Sequence, residues 1–180
     1  LGTTYHETAH TMQPIAEYGK GKGRPYGKPS GPYNQAYYGR GFVQLTWLEN
    51  YVKAGAILRL PLAEHPELAM EPKTAALILF QGMAEGWFTG KRLSDYIDPP
   101  HVDYVGARRI VNGTDRADRI AAYAVSFESA LRSAGYLGPA PKPKPAIPES
   151  QPAKPAVPNL PNLPNVQPAK RGFLSGVVDV

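Results

Sequence analysis

Proline divides this chain of 180 residues into two parts of different character. Between Pro139 and Pro168, 11 of 30 residues are proline. Proline fixes φ and lacks the backbone N–H, so this stretch cannot form a helix or a central strand, and an extended spacer is expected. We therefore predict a folded domain over 1–138, a proline-rich linker over 139–170 and the start of a further C-terminal segment over 171–180. A ligand for a proline-recognising domain is the alternative for the linker.

The charge and the absence of Cys narrow the possible functions. Residues 1–138 carry 15 basic and 13 acidic side chains, a net +2, and the remainder carries 5 and 2, a net +3. A nucleic-acid-binding domain concentrates basic charge on its folded surface, so no nucleic-acid partner is expected. The absence of Cys excludes disulfides, thiolate metal sites and a Cys nucleophile. No apolar stretch approaches the roughly 20 residues of a membrane-spanning helix, and no stable span is expected in this chain.

Hydrophobic periodicity over 1–138 is mostly helical. The predicted helices cover Leu1–His10, Phe42–Leu58, a segment that begins at Pro72, Asp103–Val111, and a segment from an Asp115 N-cap to a Gly135 stop. In the third of these, Phe80 is predicted to face the core. Residues 19–41 contain seven glycines and three prolines, which predicts a long loop with a short hairpin. The expected fold class is mainly α, with one glycine-rich loop.

The segment His6-Glu7-Thr8-Ala9-His10 admits a metal-centred interpretation. On a continuous helix both imidazoles lie on one face and could bind one zinc ion, with Glu7 as general base. A catalytic zinc needs a third protein ligand, and none follows His10 at the usual spacings. The other histidines, His65 and His101, lie in separate predicted loops. A zinc peptidase is therefore an alternative function.

Three motifs in a fixed order support a different interpretation. His6-Glu7-Thr8 is followed by Tyr37-Tyr38-Gly39-Arg40-Gly41-Phe42-Val43-Gln44-Leu45-Thr46 and then by Ile110-Val111-Asn112-Gly113. Over about residues 1–135 the chain resembles glycoside hydrolase family 19, the class I chitinase-like group with its bacteriophage endolysin branch in the lysozyme superfamily. This resemblance implies an α+β lysozyme-like fold and a glycosidase that cleaves β-1,4 bonds of an N-acetylated aminosugar polymer by acid/base catalysis, without metal or cofactor.

The resemblance implies that Glu7 is the general acid, a role that requires a carboxyl kept protonated by apolar surroundings. The reaction also needs a group that holds or activates water, usually a carboxylate about 6.5–9.5 Å away in inverting enzymes. Glu17 is the one acidic residue between Glu7 and Glu49. Its spacing matches phage lysozyme-like enzymes, whereas the second acid of plant chitinases lies further along, where this chain has no carboxylate. Thr46 is expected to orient the water, with a helix cap as its alternative role.

Further positions match substrate contacts of the family. Amides suit recognition of N-acetyl and hydroxyl groups, and aromatic rings can stack on sugars. The residues assigned in this way are Tyr38, Arg40, Gln44, Asn50 and Asn112. Arg40 is also expected to pair with Glu7 or Glu17 and tune it. A core position is the alternative for Tyr38, and a plain Asn-Gly turn is the alternative for Asn112.

The loop after Glu17 is cationic, which bears on the substrate. Its basic residues are Lys20, Lys22, Arg24, Lys28 and Arg40. Peptidoglycan carries lactyl-peptide carboxylates and chitin is neutral, so peptidoglycan is the preferred substrate and chitin the alternative. We expect a monomeric endolysin or muramidase-type enzyme at the bacterial cell envelope, in the periplasm or outside the cell, released from the host cytoplasm by a phage lysis system. A non-catalytic wall-binding module is the alternative from another class.

Overall fold

The computed structural model describes residues 1–99 and 101–136. Its helices are α1 (Gly2–Glu7), α2 (Leu48–Leu58), α3 (Pro72–Glu85) and α4 (Ala117–Ser133), and 3₁₀ turns cover Pro25–Gly27, Pro66–Met70, Leu93–Asp95 and Gly106–Ile110. Two antiparallel hairpins pair β1 (Ile15–Ala16) with β2 (Arg40–Gly41) and β3 (Ile97–Asp98) with β4 (His101–Val102). The predicted fold class, mainly α with a glycine-rich loop and a short hairpin, is confirmed. The predicted linker and C-terminal segment lie outside the described residues.

None of the helices in the described part of the chain has the length and hydrophobicity needed to cross a bilayer.

Helix α1 ends at Glu7, three residues before its predicted end. The Thr8 hydroxyl donates to the carbonyl of Thr4 at 2.8 Å and accepts a hydrogen bond from the N–H of Met12 at 3.0 Å. His10 has a φ of 66°, in the left-handed region that is incompatible with continuing the helix. The chain therefore turns away directly after Glu7.

Helix α2 begins at Leu48 and not at Phe42, because the segment 42–47 forms a compact turn. Arg40 and Leu45 exchange two backbone hydrogen bonds of 3.2 and 2.9 Å across this turn. Gln44 and Trp47 have φ values of 54° and 75°, which a continuous right-handed helix does not allow. Hydrophobic periodicity alone does not reveal such a turn, because Val43, which fits the helical pattern, is also buried in the turn.

The hydrophobic core lies between α2, α3 and the turn over 42–47. Its buried members are Tyr37, Val43, Leu45, Tyr51, Ala54, Leu62, Ala69, Ile78, Leu79, Trp87, Ile110 and Val111. Pro72 is the first residue of α3, as predicted, but Phe80 is 69% exposed because Ile78 and Leu79 occupy the buried face. The predicted inward position of Phe80 is wrong.

Helix α4 packs closely on α1, and its start differs from the prediction. Its N-cap is Arg116, with a φ of 54°, and not Asp115, while Gly135 adopts a φ of 78° after its last turn as expected. A Cβ atom on Gly2 would lie 2.9 Å from the carbonyl oxygen of Ile120. The backbones of the two helices therefore approach too closely for a larger side chain at Gly2.

We expect Gly41→Ala to destabilise the fold more than Gly90→Ala. The φ values are 83° and 82°, so both substitutions carry a left-handed backbone penalty of about 1–2 kcal/mol. A Cβ on Gly41 would also lie 2.7 Å from the carbonyl oxygen of Ala69, whereas no atom lies within 4 Å of one on Gly90. Overpacking should lower the free energy of unfolding of Gly41→Ala by a further 1–3 kcal/mol or so. Urea denaturation followed by circular dichroism measures both, and equal losses would contradict the close packing at Gly41.

Candidate active site

Glu7 is the last residue of α1, and its side chain is 5% exposed. Its Oε1 accepts a hydrogen bond of 2.7 Å from Nη1 of Arg108, whose side chain is fully buried. Burial raises the pKa of the Glu7 carboxyl above its ordinary value, and the Arg108 guanidinium opposes that rise without cancelling it. Glu7 therefore retains a proton to higher pH than an exposed glutamate, which is the property that a general acid needs.

Arg108 is a residue that sequence reasoning missed. It lies in the 3₁₀ turn Gly106–Ile110, 101 residues from Glu7 along the chain, and its Nε also donates to the carbonyl of Asp115 at 3.1 Å. A fully buried arginine needs hydrogen-bond acceptors, because an unsatisfied charge in the interior is strongly unfavourable. The sequence offers no signal that separates Arg108 from the exposed Arg109, since the choice depends on which side of the turn meets α1.

His6 and His10 do not form the helical pair that zinc binding requires. His10 lies beyond the end of α1, where its ring stacks on Tyr5 with centroids 4.4 Å apart. Burial and then the charge of Arg108 lower the pKa of His6 to about 4. Over residues 1–99 and 101–136, no group of three or more His, Cys, Asp or Glu side chains is arranged to hold a metal ion. The geometry behind the zinc peptidase alternative is therefore not formed.

Glu17 directly follows β1, and both of its carboxylate oxygens accept hydrogen bonds. Oε1 accepts from the Tyr26 hydroxyl at 3.0 Å, and Oε2 accepts from the N–H of Gly39 at 3.1 Å. The N–H of Glu17 donates to the carbonyl of Gly39 at 2.7 Å, which extends the pairing of β1 with β2. The pairing of the two strands brings Glu17 to the Gly39-Arg40-Gly41 segment. The role itself stays a prediction.

Arg40 is buried and does not make the ion pair with Glu7 or Glu17 that the sequence led us to expect. Its Nη1 donates to three acceptors at 3.0–3.3 Å, the carbonyls of Ala36 and Tyr38 and the hydroxyl of Tyr51. The guanidinium lies over the half-buried Tyr38 ring, 3.6 Å from its centroid. Arg40 thus holds the loop and not a carboxylate, and the arginine that pairs with Glu7 is Arg108.

Three other predicted site residues are linked through the turn over 42–47. Gln44 is buried, and its Nε2 donates to the carbonyls of Ile15 and Gly41 at 3.0 and 3.2 Å. The buried Thr46 hydroxyl donates to the carbonyl of Gln44 at 2.7 Å, and Nδ2 of Asn50 donates to the carbonyl of Thr46 at 2.7 Å. Thr46 is not a helix cap, since α2 has Trp47 at that position. The roles of these residues in catalysis and substrate binding stay predictions.

Asn112 lies close to the Glu7 pair through the backbone. Its N–H donates to the carbonyl of Arg108 at 3.1 Å, and its Oδ1 accepts from the N–H of Gly113 at 2.9 Å. The second contact joins neighbouring residues at a bend of the chain. The predicted contact of Asn112 with substrate stays a prediction.

Comparison with known proteins finds two chitinases. An endochitinase of Arabidopsis thaliana is 39% identical over 72 residues, which cover 38% of this chain and 24% of that protein. The match thus spans about a quarter of the length of the curated relative. The crystal structure of chitinase C from Streptomyces griseus matches with a TM-score of 0.49 and 23% identity, covering 75% of this chain and 57% of that one. No family model matches the sequence.

We expect Arg108→Met to raise the pKa of Glu7 further, because it removes the guanidinium that opposes the effect of burial. Breaking a buried pair also destabilises by about 3–5 kcal/mol. A raised pKa in the folded state means that the fold is favoured while Glu7 is protonated, so the stability of the variant should fall as pH rises through that pKa. A ¹³C NMR titration of the glutamate carboxyls measures the shift. Arg109→Met, at the exposed neighbour, is the control and should leave the titration of Glu7 unchanged; an equal effect of both variants would contradict the pairing.

Proposed function

We propose that this chain is a glycoside hydrolase that cleaves β-1,4 bonds of N-acetylated aminosugar polymers by general acid/base catalysis. The observation that carries the proposal is Glu7, a 5% exposed carboxyl with a raised pKa at the end of α1, paired with the buried Arg108. Support comes from the matching motifs around Glu7, Arg40 and Asn112. The similarity of 72 residues to an endochitinase agrees with this class of reaction.

In the proposed reaction Glu7 donates its proton to the glycosidic oxygen as the bond from that oxygen to the anomeric carbon breaks. Glu17, assisted by the Thr46 hydroxyl, accepts a proton from the water whose oxygen bonds to the anomeric carbon. Glu7 becomes a carboxylate, and the positive charge of Arg108 at 2.7 Å stabilises it. Exchange with solvent returns the proton from Glu17 to Glu7 for the next cycle.

For the substrate, we propose peptidoglycan ahead of chitin. Lys20, Lys22, Arg24 and Lys28 are all exposed and begin three residues after Glu17. Three successive turns fix the first part of this loop, since the N–H groups of Lys20, Lys22 and Arg24 donate to the carbonyls of Glu17, Gly19 and Gly21 at 2.9–3.0 Å. Cations on this loop would attract the peptide carboxylates of peptidoglycan, which chitin lacks.

Chitin is the second candidate, favoured by the similarity to an endochitinase. An endolysin-type enzyme from a phage, acting as a monomer at the bacterial cell envelope, in the periplasm or outside the cell, is the biological role that goes with peptidoglycan.

Glu7→Gln is expected to reduce glycan cleavage by about 10²–10⁴-fold, because the amide cannot donate an acidic proton. The assay measures new reducing ends from peptidoglycan and from chitin in the presence of EDTA. Glu49→Gln, at an exposed position on α2, is the control and should retain full activity. Loss of wild-type activity in EDTA with recovery on adding zinc would instead indicate a metallopeptidase. Wall binding without new reducing ends would indicate a non-catalytic module.

Neutralising the loop should discriminate between the two polymers. We expect the triple variant Lys20→Gln, Lys22→Gln, Lys28→Gln to lose about tenfold in kcat/KM on peptidoglycan, or about 0.5 kcal/mol per exposed charge, and to be unchanged on chitin. The control removes three exposed charges elsewhere, at Lys73, Lys91 and Arg92, and should affect neither substrate. Equal losses on both polymers would rule out recognition of the anionic peptides by this loop.

A further inference from the structure

Tyr26 is a buried residue within the glycine-rich loop that contacts Glu17 and the residue next to Thr46. The residue is 5% exposed, and its hydroxyl donates to Oε1 of Glu17 at 3.0 Å. Its ring meets Trp47, the neighbour of Thr46, edge to face with centroids 5.1 Å apart. Tyr26 therefore connects Glu17 to the end of the turn that contains Thr46.

The backbone around Tyr26 is fixed from two sides. The Tyr26 carbonyl accepts from the N–H of Tyr37 at 2.8 Å, and the Tyr37 carbonyl accepts from the N–H of Trp47 at 2.8 Å. Within the loop, a Cβ on Gly21 would lie 2.8 Å from the Tyr26 ring, and a Cβ on Gly27 would collide with the Gly21 carbonyl. These two glycines let the loop close on the ring, so the hydroxyl has a defined place.

We propose that Tyr26 is a positioning residue that sets the orientation of the Glu17 carboxylate toward the attacking water. A carboxylate has about four lone-pair sites. Tyr26 and the N–H of Gly39 each occupy a site on a different oxygen, which prevents rotation of the group and leaves lone pairs for water. The inference rests on the proposed function, because it assigns Tyr26 to the same reaction.

The phenol remains a donor over the range in which such an enzyme works. Burial, followed by the hydrogen bond to Glu17, raises the pKa of Tyr26 to about 12. The hydroxyl is therefore protonated at neutral and at moderately alkaline pH, so its hydrogen bond to Glu17 persists there.

Tyr26→Phe tests the proposal, because phenylalanine preserves the ring packing on Trp47 and removes only the hydroxyl. We expect kcat on a soluble aminosugar oligosaccharide to fall about 10- to 100-fold, the scale of a small misplacement of a reacting group, with KM changed by less than about twofold. Tyr33→Phe, at a tyrosine that is 44% exposed, is the matched control and should behave as wild type. In a Glu17→Ala background, Tyr26→Phe should cause no further loss, since a positioning residue acts only through the group it positions.

An NMR titration of ¹³Cζ-labelled tyrosine tests the contact without any assay of activity. Tyr26 should titrate near the pKa of about 12, and Glu17→Gln should lower that pKa because it removes the carboxylate charge. Unchanged kcat in Tyr26→Phe, a loss that persists in the Glu17→Ala background, or a Tyr26 pKa insensitive to Glu17→Gln would each overturn the positioning role alone. If wild type cleaves no aminosugar polymer although the NMR shift is present, the proposed function fails and the catalytic meaning of the contact fails with it.

Discussion

The ion pair between Glu7 and Arg108 is the interaction on which the candidate site depends. It joins the end of the first helix to a turn 101 residues later, and both side chains are withdrawn from water. Bringing two charges into the interior is unfavourable unless each is well satisfied, and such pairs are often weaker for stability than apolar packing. The pair is therefore better explained by its effect on the pKa of the Glu7 carboxyl than by a contribution to the stability of the fold. It favours the charged form that Glu7 adopts after it has given up a proton.

The early end of α1 makes this arrangement possible. Because the Thr8 hydroxyl bonds back to Thr4 and accepts from Met12, the chain leaves the helix axis immediately after Glu7. The close approach of α1 and α4 at Gly2 then determines where that helix end lies. His10, which a longer helix would have placed beside His6, stacks on Tyr5 instead. The same turn thus allows Glu7 to bond to Arg108, and it places His10, the second histidine of the apparent metal motif, away from His6.

The sequence predicted those parts of the fold that depend on the backbone preferences of single residues, such as proline and glycine. Pro72 begins α3 because proline suits a first helical position, and the glycines and prolines over residues 19–41 correctly indicated a long loop, which the pairing of β1 with β2 closes. Positions decided by long-range packing were not predictable in this way. Arg40 lies in the Gly39-Arg40-Gly41 motif and was expected to pair with Glu7 or Glu17. Its guanidinium instead donates to carbonyls of its own loop. Arg108 had no signal, since its burial follows from tertiary contacts that a single sequence does not display.

The two candidate carboxylates differ in the kind of partner that holds them. Glu7 is paired with a cation in a buried setting, and its raised pKa results from a contest between burial and that cation. Glu17 is half-buried and accepts hydrogen bonds from a phenol and a peptide N–H, both of which are uncharged. Acid/base chemistry needs two such groups in different environments, because identical surroundings would favour the same protonation state in both.

A neutral donor such as Tyr26 can fix the direction of a carboxylate without adding a positive charge. Such a charge would lower the affinity of the carboxylate for the proton that it is to receive. The basic residues of the loop between Glu17 and Gly39 are exposed, and the buried Arg40 donates to two carbonyls and a hydroxyl. This separation of charge from orientation is the physical reason to propose Glu7 as the proton donor and Glu17 as the group that directs water.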